Sequence, residues 1–265
     1  MSSITSGNAE QYADSRKLAA RGRLNREYTI AETGWFPWVA RQLPLKPDDK
    51  VLDIGCGPGW FWASVMQDVP ENLHLTLADQ SSGMVAEAVE RCSALPFGSV
   101  TGRQADAAAL PFEDASFDAV IAMHMLYHLA DQLAAIVEMF RVLKPGGVLA
   151  VTTNGVGNMR EIYALTTVLG SPPVDPGGAA FGYDKAQAIM HAQFGNVTFM
   201  QHPARMRITE PEDVFLALTS YPPGDGASET QLAAFREVIE GAFQCGNGVL
   251  EVGKETGLFL STKPV

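Results

Sequence analysis

Cysteine is scarce in this chain. Cys56, Cys92 and Cys245 are the only three in 265 residues. They are far apart, odd in number and without metal-ligand spacing, so neither a disulfide framework nor a bound metal is expected, and free thiols point to a reducing compartment. Long apolar runs are absent too. No stretch of about 18 apolar residues offers a membrane span, and Met1–Gly7 lacks the basic-then-apolar order of a secretory leader. A cytoplasmic protein without membrane contact is the expectation. Basic charge is in deficit, with 19 Lys and Arg against 30 Asp and Glu and a net charge of −11. That balance argues against nucleic acid, which needs a basic groove. Arg16, Lys17, Arg21, Arg23 and Arg26 do cluster, at a spacing that reads as the solvated face of a helix rather than a binding surface. What is present is ordinary for a globular chain: 46% hydrophobic and 18% charged residues. The length allows one α/β domain with additions, or two lobes. Internal repeats are missing.

One stretch stands out, Val51-Leu52-Asp53-Ile54-Gly55-Cys56-Gly57-Pro58-Gly59-Trp60. Val51–Ile54 reads as a buried strand interrupted only by Asp53. Alternate glycines then permit a tight turn that brings backbone close to a ligand. Trp60–Met66 reads as the start of a helix. Strand, glycine turn and helix together present free N–H groups at a small-molecule site. The spacing is G-x-G-x-G, one residue shorter than the dinucleotide fingerprint G-x-G-x-x-G.

Along the chain, Glu10 to about Leu43 has a helical pattern with a break near Gly22, closed by Pro44 and Pro47. Strands are expected at Lys50–Ile54, Leu73–Ala78, Val100–Gln104, Phe117–Ala122 and Val148–Thr152. Helices alternate with them, one from Ser81 or Ser82 to about Arg91 and one carrying an apolar stripe of Leu133, Ile136, Val137 and Phe140. Lys144-Pro145-Gly146-Gly147 is expected to end that helix. Alternation of this kind makes a parallel sheet wound on both faces, with ligands outside the carboxyl ends of its strands. Beyond Gly155 the texture changes. Helices fit Met159–Leu169, Asp184–Phe194, Pro211–Ser220 and Ser228–Phe243, with a loop over Gly170–Gly178. One strand is expected within Val197–Ile208, and Leu258–Thr262 closes the chain.

Four segments carry a family resemblance. Asp53-Ile54-Gly55-Cys56-Gly57-Pro58-Gly59 resembles the D-x-G-x-G-x-G motif of class I S-adenosylmethionine-dependent methyltransferases. Asp79-Gln80-Ser81-Ser82-Gly83-Met84 resembles their D-x-S-x-x-M pattern. The run from Asp106-Ala107 through Leu110-Pro111-Phe112 to Ser116-Phe117-Asp118 is similar to their D-A-x-x-L-P-F-x-x-x-S-F-D segment. Leu143-Lys144-Pro145-Gly146-Gly147 resembles the turn before their fifth strand. All four fall in the family's order between residues 51 and 152. The resemblance implies a Rossmann-like seven-stranded sheet, order 3-2-1-4-5-7-6 with strand 7 antiparallel, and helices on both faces. Residues 1–49 would form an N-terminal helical cap and 50–155 the cofactor core. Residues 156–265 would add helical insertions after strands 5 and 6 as a lid over the acceptor.

It further implies S-adenosylmethionine as cofactor, with S-adenosylhomocysteine as product. Asp53, Gly55, Cys56, Gly57 and Gly59 would lie at its methionine end and Asp79 at the ribose hydroxyls. An acidic residue at the end of the second strand suits NAD as well, so Asp79 alone does not discriminate. Gln80 and Met84 follow Asp79 in the family pattern, Asp106 and Ala107 would border the adenine, and Met123 ends the fourth strand beside the sulfonium. Family caps close over the cofactor, which would bring Tyr12 or Tyr28 near it; packing of the cap on the core explains those tyrosines equally well.

Methyl transfer from a sulfonium needs alignment in a dry pocket first and a base only for acceptors that must lose a proton. His128 and His124, after the fourth strand, are the candidate bases. Shaping the pocket or bracing the next helix is the competing role for each. Trp35, Tyr127, Tyr163, Phe181 and Tyr183, with Tyr221, could line an apolar or aromatic acceptor site, against ordinary packing. Arg160, Arg205 and Arg207 are weaker candidates for an acceptor carboxylate. A small-molecule methyltransferase acting on O, N or C, as monomer or homodimer, is the expected function. A peptide or protein methyltransferase, a non-catalytic S-adenosylmethionine-binding module and, more remotely, an NAD dehydrogenase are its rivals.

Overall fold

The computed structural model describes residues 16–220 and 224–265. Tyr12 and Tyr221 lie outside the described residues. α1 (Arg16–Tyr28), β1 (Thr29–Ile30) and α2 (Trp35–Gln42) lead into the core. The core runs β2 (Lys50–Ile54), α3 (Trp60–Ser64), β3 (His74–Asp79), α4 (Ser82–Ser93), β4 (Ser99–Gln104), β5 (Phe117–Met123), α5 (Gln132–Val142) and β6 (Leu143–Asn154). α6 (Arg160–Leu165), α7 (Pro176–Ala180), α8 (Tyr183–Phe194), β7 (Thr198–Gln201) and β8 (Arg205–Ile208) follow. α9 (Pro211–Thr219), α10 (Glu229–Cys245), β9 (Leu250–Gly253) and β10 (Thr256–Thr262) complete the chain.

The 7-stranded sheet has the order β4-β3-β2-β5-β6-β10-β7. β2 to β6 pair in parallel, and β10 runs antiparallel to both β6 and β7. Numbered along the core this is 3-2-1-4-5-7-6, with the seventh strand reversed, as the resemblance implies. Val51 and Leu52 are both fully buried and belong to cores on opposite faces of the sheet. That is why the strand reads as continuous hydrophobicity rather than alternation. Strand order reverses between β2 and β5, which places the crevice of an open α/β sheet beside the glycine turn.

The C-terminal half departs from expectation. β7 and β8 are separate strands in different sheets, split at His202–Ala204, where Pro203 has no N–H to donate to a ladder. β8 joins β1 and β9 in a 3-stranded antiparallel sheet that the periodicity did not reveal. A third core lies with it, joining Leu24 of α1 to Ile162, Met206, Phe215, Phe235 and Ile239. α1 runs through Gly22 without a break, and the interruption comes at β1, where Thr29 pairs with Met206. On α5 the buried residues are Gln132, Ala135, Ile136, Met139 and Val142, while Leu133 and Val137 are 51% and 42% exposed. Half of the expected stripe thus faces the core, Ile136 buried and Phe140 packed against it, while Leu133 and Val137 point outward. α5 stops at Val142, and Lys144–Gly147 already belongs to β6. The expected loop at 170–178 contains the start of α7, capped by Asp175 with Pro176 in its first turn.

Candidate active site

The glycine turn hangs from the neighbouring strand. Gly55 and Cys56 N–H both donate to the Ala78 carbonyl, at 2.8 and 3.0 Å. Gly57 N–H donates to Asp79 Oδ2 at 3.1 Å. Asp79 Oδ1 accepts from Ser81 N–H at 2.9 Å, and Ser81 caps α4 by accepting from Met84 N–H. The glycines have φ of +74°, +52° and +74°, a region where side chains are strained. A Cβ on Gly55 would lie 2.7 Å from Met125 Cβ, and one on Gly59 3.0 Å from Ala88 Cα. A Cβ on Gly57 would meet nothing within 4 Å. Two glycines thus serve packing, and the middle one presents bare backbone to open space beside a carboxylate. Burial raises the pKa of Asp79, against the lowering effect of its backbone hydrogen bonds. A carboxylate held this way gains from further donors.

Asp53 does something other than face that space. It is 3% exposed and accepts from Trp62 Nε1 at 2.8 Å. Burial pushes its pKa up to about 7. The pair ties strand β2 to helix α3 on either side of the turn, so Asp53 shapes the turn from within. The Cys56 thiol lies against Gly57 O at 3.4 Å, and burial holds its pKa far above the ordinary thiol value. The Arg91 guanidinium fastens the turn from α4 by donating to Pro58 O. Met84 is 1% exposed, so its side chain is core. Gln80 lends its carbonyl to Gln104 Nε2 at 2.8 Å. Asp106 closes its own turn, accepting from Ala108 N–H at 3.0 Å, and Ala107 is buried beside Leu110.

At the carboxyl end of β5, half-buried Met123 is paired with Thr152. His124 follows in the left-handed region at φ +49°. Its N–H is anchored to both the carbonyl and the hydroxyl of Thr152, each at 3.1 Å. Burial, with smaller contributions from Lys254 and His128, brings the His124 pKa down to about 4. The imidazole is therefore neutral at physiological pH and a poor proton acceptor. His128 closes the short helical turn Leu126–His128, and its ring meets Tyr127 at 4.5 Å. Trp35 sits between His124 and His202, 5.4 Å from each, and stacks on Trp38 at 5.6 Å. Its indole Nε1 is buried without a hydrogen-bond partner among the described residues.

The other proposed contacts are elsewhere. Tyr28 donates to Asp213 Oδ2 at 2.6 Å, with burial first and the carboxylate second raising its pKa to about 12. Its hydroxyl is committed to the junction of α1 with α9. Phe181 is fully buried in the core, and Tyr183 packs on Phe199 and Phe259. Tyr163 is half-buried against the third core, while Tyr127 packs against the first core and lies under α7 near Gly177. Arg205 and Arg207 pair with Glu251, and Arg160 with Glu161. Sequence reasoning missed His202, Asp175 and Lys254. Asp175 is 3% exposed and accepts from Asn154 Nδ2, Asn158 Nδ2 and the N–H groups of Gly177 and Gly178. Its place before Pro176 was the available signal; Lys254 and His202 carry none.

A glycine turn bonded to the acid at the end of the adjacent strand, at the switch point of a 3-2-1-4-5-7-6 sheet, defines a class I S-adenosylmethionine-dependent methyltransferase fold. Residues 52–151 match the family described as Methyltransferase domain. The 27-O-demethylrifamycin SV methyltransferase of Amycolatopsis mediterranei is 37% identical over 114 residues, 43% of this chain and 41% of that protein. The ubiquinone/menaquinone biosynthesis C-methyltransferase UbiE of Shewanella piezotolerans is 36% identical over 135 residues, 49% of this chain and 54% of that protein. The chain spans about half the length of the curated relatives it matches. Among solved structures, phosphoethanolamine N-methyltransferase 2 of Haemonchus contortus, in complex with S-adenosyl-L-methionine, superposes with a TM-score of 0.56 at 19% identity. That match covers 94% of this chain and 57% of that one. Among the described residues no helix is long and apolar enough to cross a membrane.

Proposed function

We propose that this protein transfers the methyl group of S-adenosylmethionine to O, N or C of a small organic acceptor, in a pocket lidded by α1, α2 and the elements that follow Gly155. The observation that carries the reading is the bare backbone of Gly57, hydrogen-bonded to Asp79 at the sheet's switch point. The residues present fit the cofactor. Gly55–Gly59 would hold its methionine end, Asp79 the ribose hydroxyls, and Asp106, Ala107 and Leu110 the surroundings of the adenine, with Met123 at the strand end beside them. When bound, the cofactor supplies an electrophilic methyl on a sulfonium. The chain's own part is alignment and exclusion of water. Trp35, Trp38 and His202 form an aromatic wall against His124, and neutral His124 shapes that wall without taking up a second proton. His128 remains the side chain positioned for proton transfer. Relatives named for O- and C-methylation of small molecules support an acceptor of that size.

Calorimetry with S-adenosylhomocysteine tests the cofactor site. Asp79→Ala should weaken binding by about 1.5–3 kcal/mol for each hydrogen bond lost, and unchanged affinity would refute the assignment. Labelled S-adenosylmethionine with a small-molecule panel tests the reaction. Label appearing in peptide or protein instead would overturn the acceptor class.

A further inference from the structure

Lys254 occupies an unusual place. It lies between β9 and β10, two residues before Thr256, which pairs with Asn154 at the carboxyl end of β6. Met123, at the end of β5, pairs with Thr152 near the same end of β6, across its opposite edge. The Lys254 ammonium donates to Asn25 Oδ1 of α1, so it bridges that helix and the ligand edge of the sheet. It is close enough to His124 and His202 to depress the pKa of both.

The carboxylates nearby are already engaged. Asp175 attracts Lys254 at a distance, but its oxygens accept from Asn154, Asn158, Gly177 and Gly178. Glu255 turns the other way, its Oε2 accepting from Gly157 N–H at 3.0 Å. No carboxylate lies within ion-pair distance of Lys254 among the described residues. The same histidine pair is flanked by Trp35, whose buried Nε1–H has no acceptor among those residues. A withdrawn cation and an orphaned donor each cost free energy, and one anion would satisfy both.

We propose that Lys254 and the Trp35 indole N–H form an oxyanion subsite at the acceptor end of the pocket, and that the acceptor is a phenol or enol bound as its anion. The inference rests on the methyl-transfer reading and makes proton transfer to His128 dispensable. His124 is too weak a base to take an acceptor proton, and an acceptor already ionised needs none. Burial brings the pKa of Lys254 down to about 8, which leaves the ammonium dominant at neutral pH. The hydroxyl proton departs to water as the anion binds. An electron pair of the anion then forms the bond to the methyl carbon while the carbon–sulfur pair returns to sulfur, so the opposite charges cancel. Attack through oxygen leaves nothing further to remove; attack through carbon releases that carbon's proton to water afterwards.

The probe is 4-nitrophenol, whose phenolate is coloured, titrated with pH in the presence of protein saturated with S-adenosylhomocysteine. The bound phenol should ionise about one pH unit lower than the free phenol, a tenfold preference for the anion. Lys254→Met should abolish that shift, Lys254→Arg should retain it, and Trp35→Phe should diminish it. Equal affinity for phenol and phenolate, no binding at millimolar concentration, or a shift that survives Lys254→Met would each overturn the proposal. S-adenosylhomocysteine affinity, measured on every variant, reports whether the cofactor site is intact. If Lys254→Met fails to bind it, the Arg and Phe variants decide. Wild-type protein that binds the product but shows no anion preference loses only this inference, whereas failure to bind the product removes the methyl-transfer reading itself.

Discussion

Gly55, Gly57 and Gly59 share a backbone conformation for different reasons, and substitution separates them. Gly57→Ala should cost about 1–2 kcal/mol of stability from the left-handed backbone alone, since its Cβ meets nothing. It should nevertheless impair S-adenosylhomocysteine binding. Gly59→Ala adds a clash with Ala88 and Cys92, for about 1–3 kcal/mol more. Urea unfolding beside calorimetry distinguishes loss of ligand from loss of fold. Asp53 makes a pH prediction. Its folded pKa is raised to about 7, so between the ordinary carboxylate pKa and 7 the folded state binds more protons than the unfolded one. Its contribution is therefore complete at acid pH and lost as pH rises through 7. His124 acts oppositely. With its pKa lowered to about 4, it favours the fold above pH 6.5 and opposes it as pH falls toward 4. Asp53→Asn keeps an acceptor for Trp62, so unfolding free energy measured from pH 4 to 8 should lose its decline toward neutrality and retain the His124 slope. A decline identical to wild type would show that another group causes it. The sequence marked Asp53 and His124 as chemical. It was silent on their surroundings, since Trp62, Trp35 and Thr152 reach them only through the fold.

At the scale of elements, Asp175 anchors the segment between β6 and α7 at both ends, with Glu255 accepting from Gly157 N–H beside it. Asp175→Ala would strand the donors of Asn154 and Asn158 and the N–H groups that begin α7. A loss of about 3–5 kcal/mol is expected, as for a broken buried charged network. Hydrogen exchange should localise it to residues 154–180, and uniform loss of protection across the core would contradict that localisation. The core elements were readable because each is built from short-range pattern: glycines at a turn, Ser81 at a cap, apolar runs in strands buried on both faces. The whole buried face of α5 and the division of β7 from β8 were not. Which stripe of a helix is buried depends on the shape it packs against, and Pro203 reads as a strand end only once its two flanks are known to pair with different partners.

At the scale of the molecule, the N-terminal elements and those after Gly155 are packed as one unit. β1 pairs with β8, Leu24 enters the third core, and Tyr28 and Arg23 both reach Asp213 on α9. Asp213→Ala leaves the Tyr28 hydroxyl without its acceptor and should cost about 1–3 kcal/mol. Limited proteolysis should then cut faster between residues 22 and 34, with S-adenosylhomocysteine slowing the cut. Equal rates in variant and wild type would mean that packing alone holds α1.

The sequence by itself determined the alternation of strands and helices between residues 50 and 155 and carried the resemblance that implies the cofactor class, because motif spacing and hydrophobic period survive in one dimension. Only the tertiary structure decided the surroundings proposed for the acceptor. Lys254, His202, Trp35 and Asn25 meet there from four separate parts of the chain. Proximity between residues so far apart is set by how the second sheet docks, and no local pattern records it.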